Sequence, residues 1–213
     1  MSETTTNRVD RARPARPQAV LSVLRREQLS PHTVRITAGG PGFDALRMND
    51  FTDKYAKLLF VDPSLGLTPP YDLAALRESL PPGLQPVTRT YTLRRADPES
   101  QELTIDFVVH GDEGIAAPWA AQAEPGDLVT MSGAGGAYRP DPASDWHLLA
   151  GDESALPAIC SALEALPGDA RGVAYLETSD PGEYLDAKLP GGVEVVWLHR
   201  PHPGRQRERL LGA

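Results

Sequence analysis

A six-stranded antiparallel barrel followed by a parallel α/β unit is the fold class this sequence predicts, and three observations predict it. Six short runs of apolar and β-branched residues, each bounded by turn-forming residues, fill the chain up to Gly133. From Asp145 the order changes to strand, helix, strand, strand. Between the two lies GGAYRPDPASD, a proline- and turn-rich stretch of the kind that joins domains. The expected organisation is an arm over 1–18, a barrel over 19–138 and an α/β unit over 145–213.

The arm, MSETTTNRVDRARPARPQ, repeats Arg and Pro and lacks the apolar stretch of a secretory signal, so it is expected to be disordered. The six strands are AVLSVLRREQL, HTVRITA, KYAKLLFV, VTRTYTLR, ELTIDFVVH and DLVTMSG, with breaks at Ser30-Pro31 and Gly39-Gly40-Pro41-Gly42. Between the third and fourth, Tyr71 to Leu80 has helical spacing and is fenced by prolines. A second short helix is expected from Pro118, ending near Pro125-Gly126. In the α/β unit WHLLAG reads as a strand, Ser154 to Leu166 as a helix, and GVAYLET and VEVVWLH as further strands. Only PHPGRQRERLLGA follows Arg200, and a doubly wound nucleotide-binding unit has more than three strands, so this part is expected to be incomplete.

Composition removes several classes of function. A net charge of −8 opposes binding to phosphate backbones, so no nucleic-acid partner is expected. No apolar run approaches the roughly 20 residues of a bilayer span. Cys160 is the single cysteine, which rules out an internal disulfide and any zinc or iron–sulfur cluster built from this chain's thiols. A reducing, cytoplasmic compartment is expected, with redox chemistry supplied by a borrowed cofactor and no metal site of the chain's own.

The chemistry-bearing run is Arg89-Thr90-Tyr91-Thr92-Leu93-Arg94. Along a strand Arg89 and Tyr91 share a face. A ring beside a cationic fork suits a flat heteroaromatic bearing a diphosphate, the ring for stacking and the arginine for phosphate. The same six residues equally suit an exposed Thr/Arg strand face. Downstream, Asp106-Phe107-Val108-Val109-His110-Gly111 ends a strand, and Gly114 leads into the second helix, where free backbone N–H groups can take a pyrophosphate. Asp106 could accept from a ribose hydroxyl or a ring imide; a strand-end histidine such as His110 is more often structural. Gly151-Asp152-Glu153-Ser154 sits at the strand-to-helix turn where α/β sheets face their ligands, and its polar side chains serve equally as helix caps. Gly133-Ala134-Gly135-Gly136 lacks the spacing of a phosphate loop.

These runs, taken together from about Ala19 to Arg200, resemble the siderophore-interacting protein family, a branch of the ferredoxin-reductase-like flavoproteins. RTYTLR fits its R-x-Y-T-x-R, DFVVHGDEGIAAPWA its D-F-V-x-H segment with the following G-P-A-S-x-W-A, and GDESALPAI its G-D-E-T-A-L-P-A-I. The resemblance implies an FAD-binding barrel followed by an NAD(P)-binding-like domain. It places Arg89, Tyr91 and Thr92 around the flavin, with Thr92 nearest the reactive N5, and Asp106, Val108 and His110 along the cofactor. Gly114, Ala116 and Ala117 would lie at the pyrophosphate, and Asp152 and Ser154 would meet the flavin from the second domain. Four positions depart from the family pattern: Ile115 and Ala134 stand for proline, Ala117 for serine, and Ser154 for threonine.

The implied activity is FAD-dependent reduction of a ferric siderophore, with NADPH, NADH or a ferredoxin as electron donor. Lys54, Lys57 and Arg94 are candidates to steer an anionic chelate, although ordinary surface charge is the simpler account. The family's distal segment has no counterpart here, so the chain is expected to bind NAD(P)H poorly. Two other readings stay open: a flavoenzyme acting on another acceptor or partner redox protein, and a flavin- or siderophore-binding module without activity.

Overall fold

The computed structural model describes residues 17–109, 114–183 and 185–200. Seven strands form one sheet and three form another. In the first, β1 (Gln18–Ser30), β2 (Thr33–Gly39), β3 (Tyr55–Phe60), β4 (Val87–Thr92), β5 (Arg95–Asp97), β6 (Glu102–Val108) and β7 (Leu128–Gly135) lie in the order β4-β3-β7-β1-β2-β6-β5. Every pairing in it is antiparallel. The six predicted strands are all present. The additional one, β5, is the continuation of β4 beyond Leu93-Arg94.

That continuation is what curls the sheet. Leu93 N donates to Lys54 O at 2.7 Å, still on the side of β3, whereas Arg94 N donates to Thr104 O at 2.9 Å, on the side of β6. One segment therefore ties the two edges of the sheet together. Inward-facing residues alternate with outward ones, as a closed sheet requires. Leu21, Val23, Ile36, Leu58, Leu93, Leu103, Ile105, Phe107 and Met131 fill the interior and are almost wholly buried.

Between β3 and β4 the predicted excursion carries helix α1 (Leu73–Ser79), whose first turn is capped by Asp72 accepting from Ala74 N and Ala75 N. Helix α2 (Ala116–Gln122) lays Ala116 and Ala120 against the barrel core. The arm expected over 1–18 lies outside the described residues through position 16. Its last residue is corrected: Gln18 opens β1 opposite Ser132, and its amide both donates to Tyr71 O (2.6 Å) and accepts from Tyr71 N (2.8 Å).

The glycine run near Gly133 belongs to β7. Gly133 takes a φ of 126°, and a side chain at Gly135 would meet the ring of Tyr55 at 2.3 Å. Close packing on Tyr55 and the local backbone conformation account for these glycines.

The second sheet is parallel, with β8 (His147–Asp152), β9 (Arg171–Thr178) and β10 (Gly192–His199) in the order β10-β9-β8. Helix α3 (Leu156–Glu164) crosses between β8 and β9 and buries Leu156, Ile159 and Leu163 against Ala174 and Leu176. The opposite face carries the exposed side chains of Leu148, Tyr175 and Leu198. The segment after Arg200, on which the expectation of an incomplete unit turned, lies outside the described residues.

Candidate functional site

β4 hydrogen-bonds β3 along one edge, and no described strand pairs with its other edge. β6 pairs with β2 along its whole length, but with β5 only over Glu102 to Thr104. Beyond Thr104 β6 has no hydrogen-bonded neighbour on that side, and this break in the pairing, the gap between β4 and β6, has Arg89, Tyr91 and Thr92 on one strand and Asp106 and Val108 on the other. Backbone donors and acceptors along such edges need partners, which water or a polar ligand can supply. Aromatic rings close its inner side. Tyr91 packs on Phe107 with centroids 4.4 Å apart, and Trp119 of α2 lies 5.6 Å from Phe107. Burial pushes the Tyr91 hydroxyl above its ordinary value, against the pull of the nearby Arg89 charge.

Arg89 is exposed, and its guanidinium donates only to Thr88 O, 3.0 Å away. Among the described residues it has no carboxylate partner, so its charge is available to an anion. The Thr92 hydroxyl likewise makes no hydrogen bond among these residues. Gly114 takes a φ of 82° with open space where a side chain would stand, just ahead of α2. Ala116 turns its methyl into the core, so it and Ala117 offer an anion their backbone N–H groups alone. His110 lies outside the described residues.

Two expectations change on contact with the structure, and a third position shows one of its two readings. Arg94 is not a surface cation: it is 2% exposed, and its guanidinium forks onto Glu164 of α3 at 2.7 and 2.8 Å and donates to Asp186 O. The strand turns at this residue, which points its side chain into the contact with α3 instead of outward. Asp106 already has both oxygens taken by Arg35, Nε at 2.6 Å and a terminal nitrogen at 2.8 Å, so its carboxylate is held by the protein and is not the open acceptor expected. Asp152 accepts from the Ser154 hydroxyl (2.6 Å), Ser154 N (3.0 Å) and Ala155 N (3.3 Å). Of the two roles left open for this pair, the geometry shows the one that braces the turn into α3.

Lys54 donates to Phe51 O at 2.6 Å, and Lys57 stands exposed on the outer face of β3. Lys54 also lines an open groove of about 540 Å³ beside Leu93, together with Arg95 and Arg139.

Sequence reading passed over the charged residues that bind barrel to α/β unit. Arg35, Arg94 and Arg95 meet Glu164 and Asp186 across the interface. Glu183 accepts from the hydroxyls of Ser30 (2.6 Å) and Thr33 (3.0 Å). Glu153, buried beside Asp152, accepts from Ser179 N and Arg200. Burial alone would raise its pKa, but hydrogen bonds from its own backbone, Ser179 and Arg200 prevail and lower it to about 2. The usable signal for Arg35 was the cross-strand register, which sets it opposite Asp106. Among the described residues no three His, Cys, Asp or Glu side chains converge as a metal site, and no helix is long and apolar enough to cross a membrane.

Comparison with known proteins agrees with this layout. Residues 22–138 match the siderophore-interacting FAD-binding domain, and residues 144–213 match the siderophore-interacting protein family. The chain is 35% identical to a siderophore utilization protein from T. fusca, whose crystal structure superposes with a TM-score of 0.72 over 92% of this chain and 76% of that one. It is 34% identical over 200 residues to the ferric vibriobactin reductase of Vibrio cholerae, covering 91% of this chain and 69% of that protein. An uncharacterised protein of Mycobacterium tuberculosis is 47% identical over 188 residues, 87% of this chain. The chain spans 66% of that relative's length. The ferredoxin reductase of carbazole 1,9a-dioxygenase, 13% identical with a TM-score of 0.61 over 85% of this chain and 50% of its own, shares the fold.

Proposed function

Because the chain belongs to the siderophore-interacting family of FAD-binding proteins, we propose that it reduces ferric siderophores with electrons from a nicotinamide nucleotide. One observation carries the reading: the gap between β4 and β6 joins an uncommitted arginine, a half-buried tyrosine and unpaired strand edges, the donor set a flavin dinucleotide needs. Bound there, FAD supplies the means of taking electrons as a pair from a nicotinamide and passing them singly to ferric iron.

The chain's own residues have simpler duties. Arg89 pairs with the pyrophosphate through charge-assisted hydrogen bonds. The backbone N–H groups of Gly114, Ala116 and Ala117 complete that cradle. Tyr91, packed on Phe107, would offer its ring to the isoalloxazine, and the small hydroxyl of Thr92 would lie beside the reactive edge. Val108 lines the opposite bank, with His110 assigned to it by family resemblance. Asp152 and Ser154 close the site from the second sheet through the turn they stabilise. The C-terminal ends of β8 and β9, the usual ligand edge of a parallel sheet, would receive the donor nucleotide. A relative from Escherichia coli, 37% identical over 148 residues, is named an NADPH-dependent ferric-chelate reductase, which favours NADPH.

The acceptor is a ferric chelate, written here as substrate. One added electron lowers the charge on iron and loosens its hold on hard oxygen ligands. Lys54 and Lys57 draw an anionic chelate to the barrel side of the site; Arg94, buried in the domain contact, does not. We place the FAD-binding unit at 19–138, the nucleotide-binding unit at 145–213 and the protein in the cytoplasm, where Cys160 stays reduced.

The test is spectroscopic. The purified chain should carry a yellow flavin that acid or heat releases as FAD. After anaerobic reduction by dithionite, a ferric catecholate should restore the oxidised spectrum. Release of FMN, absence of any flavin after incubation with FAD, or a reduced flavin inert to ferric chelates would each overturn the proposal.

A further inference from the structure

Arg35 has no part in the chemistry above, yet it is 8% exposed and fully engaged. It sits on β2 opposite Asp106 of β6. Its Nε and one terminal nitrogen fork onto the two oxygens of Asp106 at 2.6 and 2.8 Å. The other terminal nitrogen reaches Asp186 at 2.5 Å. Asp186 lies in the connection between β9 and β10, and its carbonyl also accepts from Arg94. One guanidinium thus spans two carboxylates, one on β6, the strand that borders the cofactor gap, and one from the connection between β9 and β10.

Electrostatics makes this a dependent arrangement. Two carboxylates at such range repel unless a cation lies between them. The Asp186 carboxylate keeps its place by virtue of Arg35, with Arg95 3.7 Å away as weaker support, while its carbonyl is held by Arg94. Burial works against the Arg35 charge, and the hydrogen bonds to Asp106 and Asp186 more than offset it. Both aspartates line a small cavity of about 30 Å³ between the outer face of β6 and α3, shared with Val108, Glu153 and Cys160.

We propose that Arg35 is a positioning residue: by bridging Asp106 and Asp186 it fixes the parallel sheet, and with it the turn at Asp152–Ser154, against the strand that holds the flavin. The flavin part rests on the function proposed above; the positional part stands on the contacts alone.

The experiment uses the full chain loaded with FAD, with hydrogen exchange measured by mass spectrometry and visible circular dichroism of the flavin. Asp186→Asn removes the inter-sheet half of the bridge and leaves the Arg35–Asp106 fork within the barrel. Exchange in α3 should rise by about tenfold or more, while β2 and β6 change by less than about twofold. The flavin dichroism should change, and Asp186→Glu should restore both readings. Arg35→Gln should give the same rise in α3; if it fails to fold, Asp186→Asn decides alone. Unchanged exchange in α3, or an equal rise in β2 and β6, would show Arg35 to be an ordinary structural cation. Flavin absorbance of the same samples separates the two proposals. A chain that takes up no FAD counts against the reductase reading, whereas the exchange pattern still decides the bridge.

Discussion

Removing Glu164 should damage this protein more than removing Arg94, although the two form one ion pair. The Arg94 side chain is 1% exposed and that of Glu164 is 30% exposed. In Glu164→Ala the guanidinium stays buried, with the carbonyl of Asp186 as its remaining hydrogen-bond acceptor and with Arg94 Nε unpartnered as it already is. Stranding a buried charge in this way costs about 3–5 kcal/mol. In Arg94→Met the carboxylate of Glu164 keeps contact with water and lies 3.7 Å from Arg95, while the methionine fills most of the vacated space. The loss there is about 1–2 kcal/mol, that of a charge-assisted hydrogen bond less the relief of desolvation. Urea unfolding followed by tryptophan fluorescence reads both halves of the molecule, since Trp119 packs on the barrel core and Trp197 on the α/β core. The pair also has a pH signature. Hydrogen bonds from Arg94 hold the Glu164 carboxyl below its ordinary 4.5. A depressed acid stabilises the fold above its unfolded pKa, and that contribution is lost as pH falls through the folded value. The gap between wild type and Arg94→Met should therefore narrow in acid below about pH 4.5. Equal losses for the two variants, or a larger one for Arg94→Met, would refute the reasoning, because the penalty would then follow the lost attraction instead of the stranded charge.

Two further outcomes are expected. Arg89→Ala should weaken FAD binding by about 10- to 150-fold, the value of a charge-assisted contact, with little effect on melting of the flavin-free chain; full flavin occupancy of the variant at nanomolar protein would remove Arg89 from the site. Glu153, with its carboxyl near pKa 2 against an ordinary 4.5, should contribute about 3 kcal/mol above pH 4.5 that disappears as pH falls toward 2. Acid unfolding of Glu153→Gln should be correspondingly flatter over that window, and a slope matching wild type would mean the Ser179 and Arg200 contacts do not hold its charge.

The amino-acid sequence by itself determined nine of the ten described strands, the helices and their order. Alternation in ELTIDFV places Leu103, Ile105 and Phe107 inward, and the change to strand–helix–strand after Asp145 marks the parallel unit; both are local consequences of side-chain direction along a strand or helix. RTYTLR was legible as a candidate run because Arg89 and Tyr91 fall on one face of a strand whatever the rest of the chain does. Tertiary structure alone decided that Arg94, in the same run, is buried, and that the short extension β5 exists. The turn at Leu93-Arg94 is set by which strand edge each residue meets, Lys54 for one and Thr104 for the other. It also decided that Asp106 belongs to Arg35 and that Arg35 answers to Asp186, 151 positions away. Local sequence carries hydrophobic period and turn chemistry, but the partner of a charge is chosen by which faces packing brings together, and a lone arginine on a strand reads the same whether it meets water, phosphate or an aspartate from another domain.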